Sequence, residues 1–338
     1  MSQLNVGLVG ATGVVGETFV YLLQEHNFPI GELRPFASSS SEGKMIKCFN
    51  KEFPCQVLKP GCFEGLDLVF FSSGDDISKE WAPQAVKEGA FAIDNSAAFR
   101  MDPNTLLCVP EVNGQDLPKK GDSPAIIANP NCSTIQLVVA LKPIHEQFGL
   151  KSVRVASYQS VSGAGRDGLD ELLKQSQDVL NGEQIQAGKT FPKQIAFNAI
   201  PQIGSQQDNG FCSEEMKIMN ESKKILGHPD LKISAFTVRI ASINGHSEAV
   251  WFETEKSTSS EAIAEVLQSF KGIEFVPMDS PKLYPVNSEA SGENPVYVGQ
   301  LRKDLAFDDS YQLWVVADNL RKGAALNGLQ IAQVIFDT

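Results

Sequence analysis

The chain has 338 residues, 42% hydrophobic and 21% charged, with a formal net charge of −12. That length implies two domains rather than one small core. The acidity excludes sequence-independent binding of nucleic acid, which needs Lys and Arg to neutralise phosphates. No run of about 18 apolar residues is present, so no membrane-spanning helix is expected. The N-terminal segment lacks the basic start and apolar block of an export signal, which points to a cytoplasmic protein. Six cysteines (Cys48, Cys55, Cys62, Cys108, Cys132, Cys212) form no CxxC pair, so free thiols are expected. The four histidines show no metal-ligand spacing with them, and no metal site is predicted.

In chain order, LNVGLV reads as a strand, and a helix follows from Gly13 with Val15, Phe19, Leu22 and Leu23 at helical spacing. Residues 32–37 read as a second strand, 66–72 (LDLVFFS) as a buried one, 80–88 as a helix, 91–96 (FAIDNS) as a strand, and 125–132 (AIIANPNC) as the last of the series. This alternation predicts a Rossmann-type, doubly wound parallel sheet over residues 1–131. The pattern then changes. A helix is predicted near Ser133, a strand over SVRVASYQSVSG, and a helix over 168–180 with Leu169, Leu172, Leu173, Val179 and Leu180 on one face. KISAFTVRIAS (232–242) and GHSEAVWFETE (245–255) read as two strands joined by a short turn containing Asn-Gly. Residues 132–318 are therefore expected to form an α+β domain with an antiparallel or mixed sheet. A tail helix is expected from Asn319.

Two stretches carry chemistry. Gly10-Ala-Thr12-Gly13-Val14-Val15-Gly16 lies between a strand and a helix. Its glycines permit a tight turn and close approach of a pyrophosphate, and the helix start supplies free N–H groups. A dinucleotide site is the reading that fits this position. The second strand ends in Ala37-Ser38-Ser39-Ser40-Ser41 rather than a carboxylate. Hydroxyls at Ser38, Ser40 and Ser41 suit a ribose 2′-phosphate, so NADP is preferred over NAD. Asn129-Pro-Asn-Cys132-Ser-Thr places a thiol where a helix begins, a position that favours the nucleophilic thiolate. A buried structural cysteine is the alternative reading of the residue alone.

GATGVVG, DNSAAFR, PNCST, SYQSVSGAG, FNAIPQIG, EEMK, VRIASINGHS and ADNLRKGAALN occur in that order, and together they resemble the aspartate-semialdehyde dehydrogenase family over essentially the whole chain. The resemblance implies a Rossmann domain completed by residues 319–338, a catalytic and dimerising domain over 132–318, and a homodimer. It implies reversible NADPH-dependent reduction of aspartyl 4-phosphate to aspartate 4-semialdehyde, on the route to lysine, threonine, methionine and diaminopimelate. Cys132 is then the expected nucleophile, His246 the acid/base, and Gln159 the residue that orients substrate. Arg100 and Lys217 match phosphate-binding positions, and Arg239 matches a carboxylate clamp. Glu214, three residues before Lys217, suits the substrate ammonium. Ser162, Gly163 and Asn319 match cofactor contacts. The family often carries an arginine beside a serine after the second strand; Ser40-Ser41 here departs from that, which weakens a strict NADP preference. N-acetyl-γ-glutamyl-phosphate reductase shares this architecture and thioester chemistry, but its acylated amine would not need Glu214. A catalytically silent cofactor-binding relative would have no use for both Cys132 and His246.

Overall fold

A computed structural model describes residues 3–185 and 188–338. The chain divides into two compact units, Met1–Asn131 with Ala324–Thr338, and Cys132–Gly323.

In the first unit the elements run β1 (Leu4–Val9), α1 (Val14–Glu25), β2 (Ile30–Phe36), β3 (Met45–Cys48), β4 (Lys51–Pro54), β5 (Leu68–Phe71), α2 (Asp75–Lys87), β6 (Phe91–Asp94), β7 (Leu106–Leu107), α3 (Pro110–Asn113) and β8 (Ile126–Ala128). Six strands form one sheet in the order β2-β1-β5-β6-β8-β7. Every pairing in it is parallel. β5 is buried along its whole length, as a parallel strand covered on both faces must be. The two-residue side-chain period divides its residues between two cores. Leu68 and Phe70 join Leu4, Val6, Leu8 and the α1 residues Phe19, Leu22 and Leu23 on one face. Val69 and Phe71 join Val9, Phe63, Ala82 and Ala85 on the other. The strand order reverses beside β1, and in doubly wound sheets ligands bind at that reversal.

α2 begins at Asp75, earlier than the 80–88 expected from apolar spacing. Its first turn carries Asp75 and Asp76, which complement the helix dipole but carry no apolar signal. The short antiparallel pair β3-β4 was not anticipated either.

In the second unit α4 (Cys132–Phe148) is followed by β9 (Leu150–Gln159), α5 (Gly165–Leu180), β10 (Ala199–Ile200), α6 (Ser213–Leu226), β11 (Lys232–Ile240), β12 (His246–Thr254), α7 (Ser260–Ser269), β13 (Ile273–Val276), α8 (Asn287–Ala290), β14 (Val296–Lys303) and β15 (Ser310–Ala317). The sheet is mixed, in the order β10-β11-β9-β12-β15-β14-β13. β11 and β12 are not hairpin partners, as their turn suggested. β9 lies between them, parallel to β11 and antiparallel to β12. α4 packs on β9, β12, β14 and β15, and α6 packs on β11. On α5, Leu172 is buried, but Leu173 and Leu180 stand 54% and 74% exposed, so the expected apolar face is only partly covered.

α9 (Leu326–Phe336) returns to the first unit, where Leu326, Leu329, Ile331, Ala332, Ile335 and Phe336 complete the core beside α1. The return begins at residue 324, not 319; Asn319 belongs to the second unit.

The loop after β1 is held by close backbone packing. Gly10 has φ +81°, and a Cβ there would lie 2.7 Å from the Ser72 carbonyl oxygen. A Cβ on Gly16 would run into the Gly10 carbonyl. Left-handed backbone at a residue bearing a Cβ costs about 1–2 kcal/mol, and the clash adds to it. Gly10→Ala should therefore lose at least that much stability in a urea titration. An unchanged midpoint would show that the loop tolerates a side chain.

Candidate active site

Three side chains of the second unit stand in a row. Gln159 closes β9, and its register partners are Arg239 on β11 and His246 on β12. Residues directly opposite in neighbouring strands share a face, so Arg239, Gln159 and His246 point the same way. Their exposures are 7%, 1% and 0%. This is also the face that α4 covers, since the Gln136 side chain on α4 donates to the His246 carbonyl at 3.3 Å.

Cys132 is the first residue of the 17-residue helix α4. The unmatched amides of a helix start favour negative charge at that end. Of the six free cysteines, the other five are buried and Cys132 alone is partly accessible. Its charge is felt at Arg239, which also feels Glu214. Glu214, at the start of α6, is 7% exposed, and Lys217 one turn on donates to it at 3.3 Å. The adjacent Glu215 has a different task. It accepts from the amides of Cys212 at 2.8 Å and Thr237 at 3.0 Å, which fastens the α6 start to β11 and leaves Glu214 beside Arg239. The Arg239 guanidinium is steadied by the Ser160 carbonyl at 2.6 Å.

His246 is held from behind. The Ser160 amide donates to Nδ1 at 3.1 Å, whereas Nε2 is buried with no partner among the described residues. Nε2 is therefore the nitrogen left for a reacting group. A Cβ on Gly163 would come within 2.9 Å of the Arg239 guanidinium and 3.3 Å of Nε2, so the backbone there has to lie against both side chains. Burial first, then the Arg239 cation, pushes the imidazole down to about 3. The Gly245 carbonyl and Glu214 oppose this without reversing it. The ring is neutral at physiological pH.

Behind this row lies a polar network that the sequence did not mark. Asn319, 2% exposed, places Oδ1 within 3.1 Å of Ser160 Oγ, 3.2 Å of Ser162 Oγ and 2.9 Å of the Gly245 amide. Asn244 donates to Asp318 at 2.8 Å, and Asn287 to the Gly245 carbonyl at 2.7 Å. The network locks the loop before His246 to the turn carrying Ser160–Gly163. The side chains of Asn319 and Ser162, expected at the cofactor, are bonded within it.

The second unit thus gathers Cys132, Gln159, Glu214, Lys217, Arg239 and His246. Arg100 lies in the first unit, 7% exposed, donating to the carbonyls of Asn129 at 2.9 Å and Asn95 at 2.7 Å. It braces the segment that leads in sequence to Cys132. In the glycine loop, Gly13 caps α1 without any side-chain bond, and Thr12, Val14 and Val15 are partly accessible. Ser38 and Ser40 are exposed with hydroxyls 2.9 Å apart, and Ser41 is partly accessible. This strand-to-helix loop, whose tight turn a Cβ at residue 10 or 16 would disrupt, suits a dinucleotide diphosphate.

A thiol at a helix start, a neutral buried imidazole and a glycine-rich loop between strand and helix are the parts that a dehydrogenase acting through a cysteine would need. Comparison with known proteins agrees. The model of the semialdehyde dehydrogenase NAD-binding domain matches residues 5–120, and that of the semialdehyde dehydrogenase dimerisation domain matches residues 141–322. The aspartate-semialdehyde dehydrogenase of Aquifex aeolicus is 46% identical over 98% of this chain and 97% of its own. The crystal structure of aspartate semialdehyde dehydrogenase II from Vibrio cholerae, complexed with ASA, superposes with TM-score 0.93 at 41% identity, covering 99% of this chain and 98% of that one. The Candida albicans enzyme, solved with NADP, has TM-score 0.77 at 25% identity over 98% of each chain. The chain belongs to the aspartate-semialdehyde dehydrogenase family.

The neutral imidazole has a measurable consequence for stability. In the unfolded chain His246 takes up a proton near 6.5, but in the fold not until about 3. Between those values the unfolded state binds more protons, so stability must fall as pH is lowered. The contribution is about 1.4 kcal/mol per pH unit. His246→Asn should lose that part of the slope in urea titrations run between pH 7 and pH 4. Equal slopes for variant and wild type would mean that His246 is not held neutral.

Proposed function

We propose that this protein catalyses the reversible, phosphorylating oxidation of aspartate 4-semialdehyde to aspartyl 4-phosphate with NADP. The observation that carries this reading is the single row of Arg239, Gln159 and His246 in the unit whose α4 opens on Cys132. The thiolate of Cys132 attacks the C4 carbonyl. In the reductive direction phosphate leaves from that carbon and a thioester remains on Cys132. His246 holds the exchangeable proton at Nε2 and delivers it to the oxygen or sulfur on which charge develops. Gln159, between the two charged positions, orients the carbonyl end. Arg239 takes the α-carboxylate through its paired donors, and Glu214 beside it takes the α-ammonium. Lys217 and Arg100 supply positive charge for phosphate.

The glycine loop at Gly10, Thr12, Gly13, Val14, Val15 and Gly16 would hold the dinucleotide diphosphate, and Ser38, Ser40 and Ser41 the 2′-phosphate. Ser162, Gly163 and Asn319 would add contacts through their backbone groups, since the two side chains are already bonded. When bound, the nicotinamide supplies or accepts the hydride.

A homodimer is part of the same reading. The match to a dimerisation domain supports it, as does the sheet face opposite α4 and α6, where Phe236 is 53% exposed and Tyr158, Trp251 and Trp314 are only partly covered. Placement in the cytoplasm, on the route to lysine, threonine, methionine and diaminopimelate, follows from the family's chemistry. Among the described residues no helix is long and apolar enough to cross a membrane.

The direct test is reduction of NADP by wild type with aspartate semialdehyde and phosphate, beside N-acetylglutamate semialdehyde and beside NAD. The first combination should be the fastest, and Cys132→Ala should abolish it while cofactor binding persists. Turnover of the acetylated substrate instead would reassign the substrate, and a clear NAD preference would remove the serine run from the 2′-phosphate site. Activity surviving in Cys132→Ala would sink the thioester mechanism.

A phosphate titration separates the two ends of the substrate. Arg239→Leu should stay slow at any phosphate concentration, because loss of orientation at the carbonyl can cost about a hundredfold. Arg100→Leu should mainly raise the phosphate requirement, and excess phosphate should restore part of the rate. The opposite pattern would exchange the two assignments.

A further inference from the structure

One row below Arg239, Gln159 and His246, the same sheet face carries a second row: Thr237 on β11, Ser157 on β9, Glu248 on β12 and Val315 on β15. Ser157, Thr237, Glu248 and Val315 are all 0% exposed. Glu248 is the surprising member. Both its carboxyl oxygens are buried, and the Gln136 side chain is the one hydrogen-bonding group that bears on them among the described residues. Val250 and Phe252, at 1% and 0% exposure, continue its face along β12, so the residue points into the core beneath α4. A carboxylate in such a place, without a cation, is prohibitively unfavourable.

The polar group facing it is Gln136 on α4, which follows Cys132 by four residues and so lies one turn along the same side of the helix. Gln136 Nε2 already donates to the His246 carbonyl at 3.3 Å. Its Oε1 is buried and has no donor among the described residues. An acceptor without a donor and a carboxyl without a counter-charge, on facing elements, are satisfied together if the carboxyl keeps its proton. Burial raises the Glu248 pKa well above the usual carboxylate value, and hydrogen bonding with Gln136, which lowers it, does not offset this.

We propose that Glu248 is a positioning residue: as a neutral carboxylic acid it donates to Gln136 Oε1, and this bond clamps the first turns of α4 to the start of β12, fixing Cys132 against His246. The chain of bonds runs from the Glu248 O–H to Gln136 Oε1, then from Gln136 Nε2 to the main chain of His246. One amide thus ties the helix that carries the nucleophile to the strand that carries the imidazole. Glu248 touches neither substrate nor cofactor. The inference rests on the roles assigned above to Cys132 and His246.

Four variants test it, with kcat, KM and the rate of Cys132 modification by iodoacetamide as readouts. Glu248→Gln keeps a donor for Oε1 without a charge and should retain wild-type kcat. Glu248→Leu should lower kcat by about ten- to a hundredfold, the scale of a small misplacement of reacting groups, with KM for aspartate semialdehyde and phosphate little changed. It should also slow alkylation of Cys132. Gln136→Leu should give the same loss, which keeps the test decisive if Glu248→Leu does not fold. The double variant, which removes both the Glu248 carboxyl and the Gln136 amide and so leaves neither facing an apolar side chain, should be no worse than either single one. If Glu248→Gln is as slow as Glu248→Leu, an ionised carboxylate is required and the clamp is refuted. Wild-type kcat in both leucine variants refutes it equally. Wild type lacking Cys132-dependent activity would instead remove the catalytic assignment.

Discussion

A permanent cation and an uncharged imidazole share one sheet face, separated by a single strand. The Arg239 cation, proposed to grip an anion, is with burial a reason why His246 does not hold a second proton. The fold makes this juxtaposition by inserting β9 between β11 and β12. Gln159 then fills the gap, neutral and able to donate and accept. The surrounding construction follows from that row. Glu215 anchors α6 so that Glu214 balances the guanidinium. The Ser160 backbone serves both neighbours, its carbonyl steadying Arg239 and its amide fixing His246. Gly163 is bare because a methyl group there would strike both.

The polar groups beneath and behind the row obey one rule: a buried donor or acceptor needs a partner. Asn319 satisfies three groups from two loops at once. Its position two residues beyond β15 brings that strand's end, the Ser160 turn and the Gly245 loop to one point. Rigidity of the catalytic groups therefore comes from short polar side chains bonded to backbone as much as from apolar packing. That suits the proposed site, in which a thiol, an imidazole and a carboxylate clamp would act together.

Much of this was legible in the sequence, and the exceptions have physical causes. The places of the glycine loop and Cys132 at the starts of α1 and α4 were readable because each strand-to-helix junction is marked within a few consecutive residues. The alignment of Arg239, Gln159 and His246 was not. An Asn-Gly turn signals a hairpin, and nothing local shows that a strand made eighty residues earlier lies between its arms. The start of α2 was hidden because Asp75 and Asp76 serve the helix dipole rather than the core. On α5 the helical spacing was correct, but spacing marks an apolar face without saying what covers it, and Leu173 and Leu180 stay exposed. Glu248 did leave a trace. His246, Glu248, Val250 and Phe252 alternate along one face of a strand, and an acid among core positions in that pattern is a residue whose charge has to be explained.

The two units differ in how the chain supplies them. Cys132–Gly323 is a single continuous stretch, whereas the other unit lacks part of one core until Ala324–Thr338 is added. Those residues carry seven members of the cluster that also holds Phe19, Leu22, Leu23, Phe70 and Ile93. During synthesis the glycine-loop unit is made first but finished last. Its sheet waits with one apolar flank uncovered while the middle of the chain, complete in itself, is free to fold. The half that is made first can close this core only after the whole of the other unit has been made.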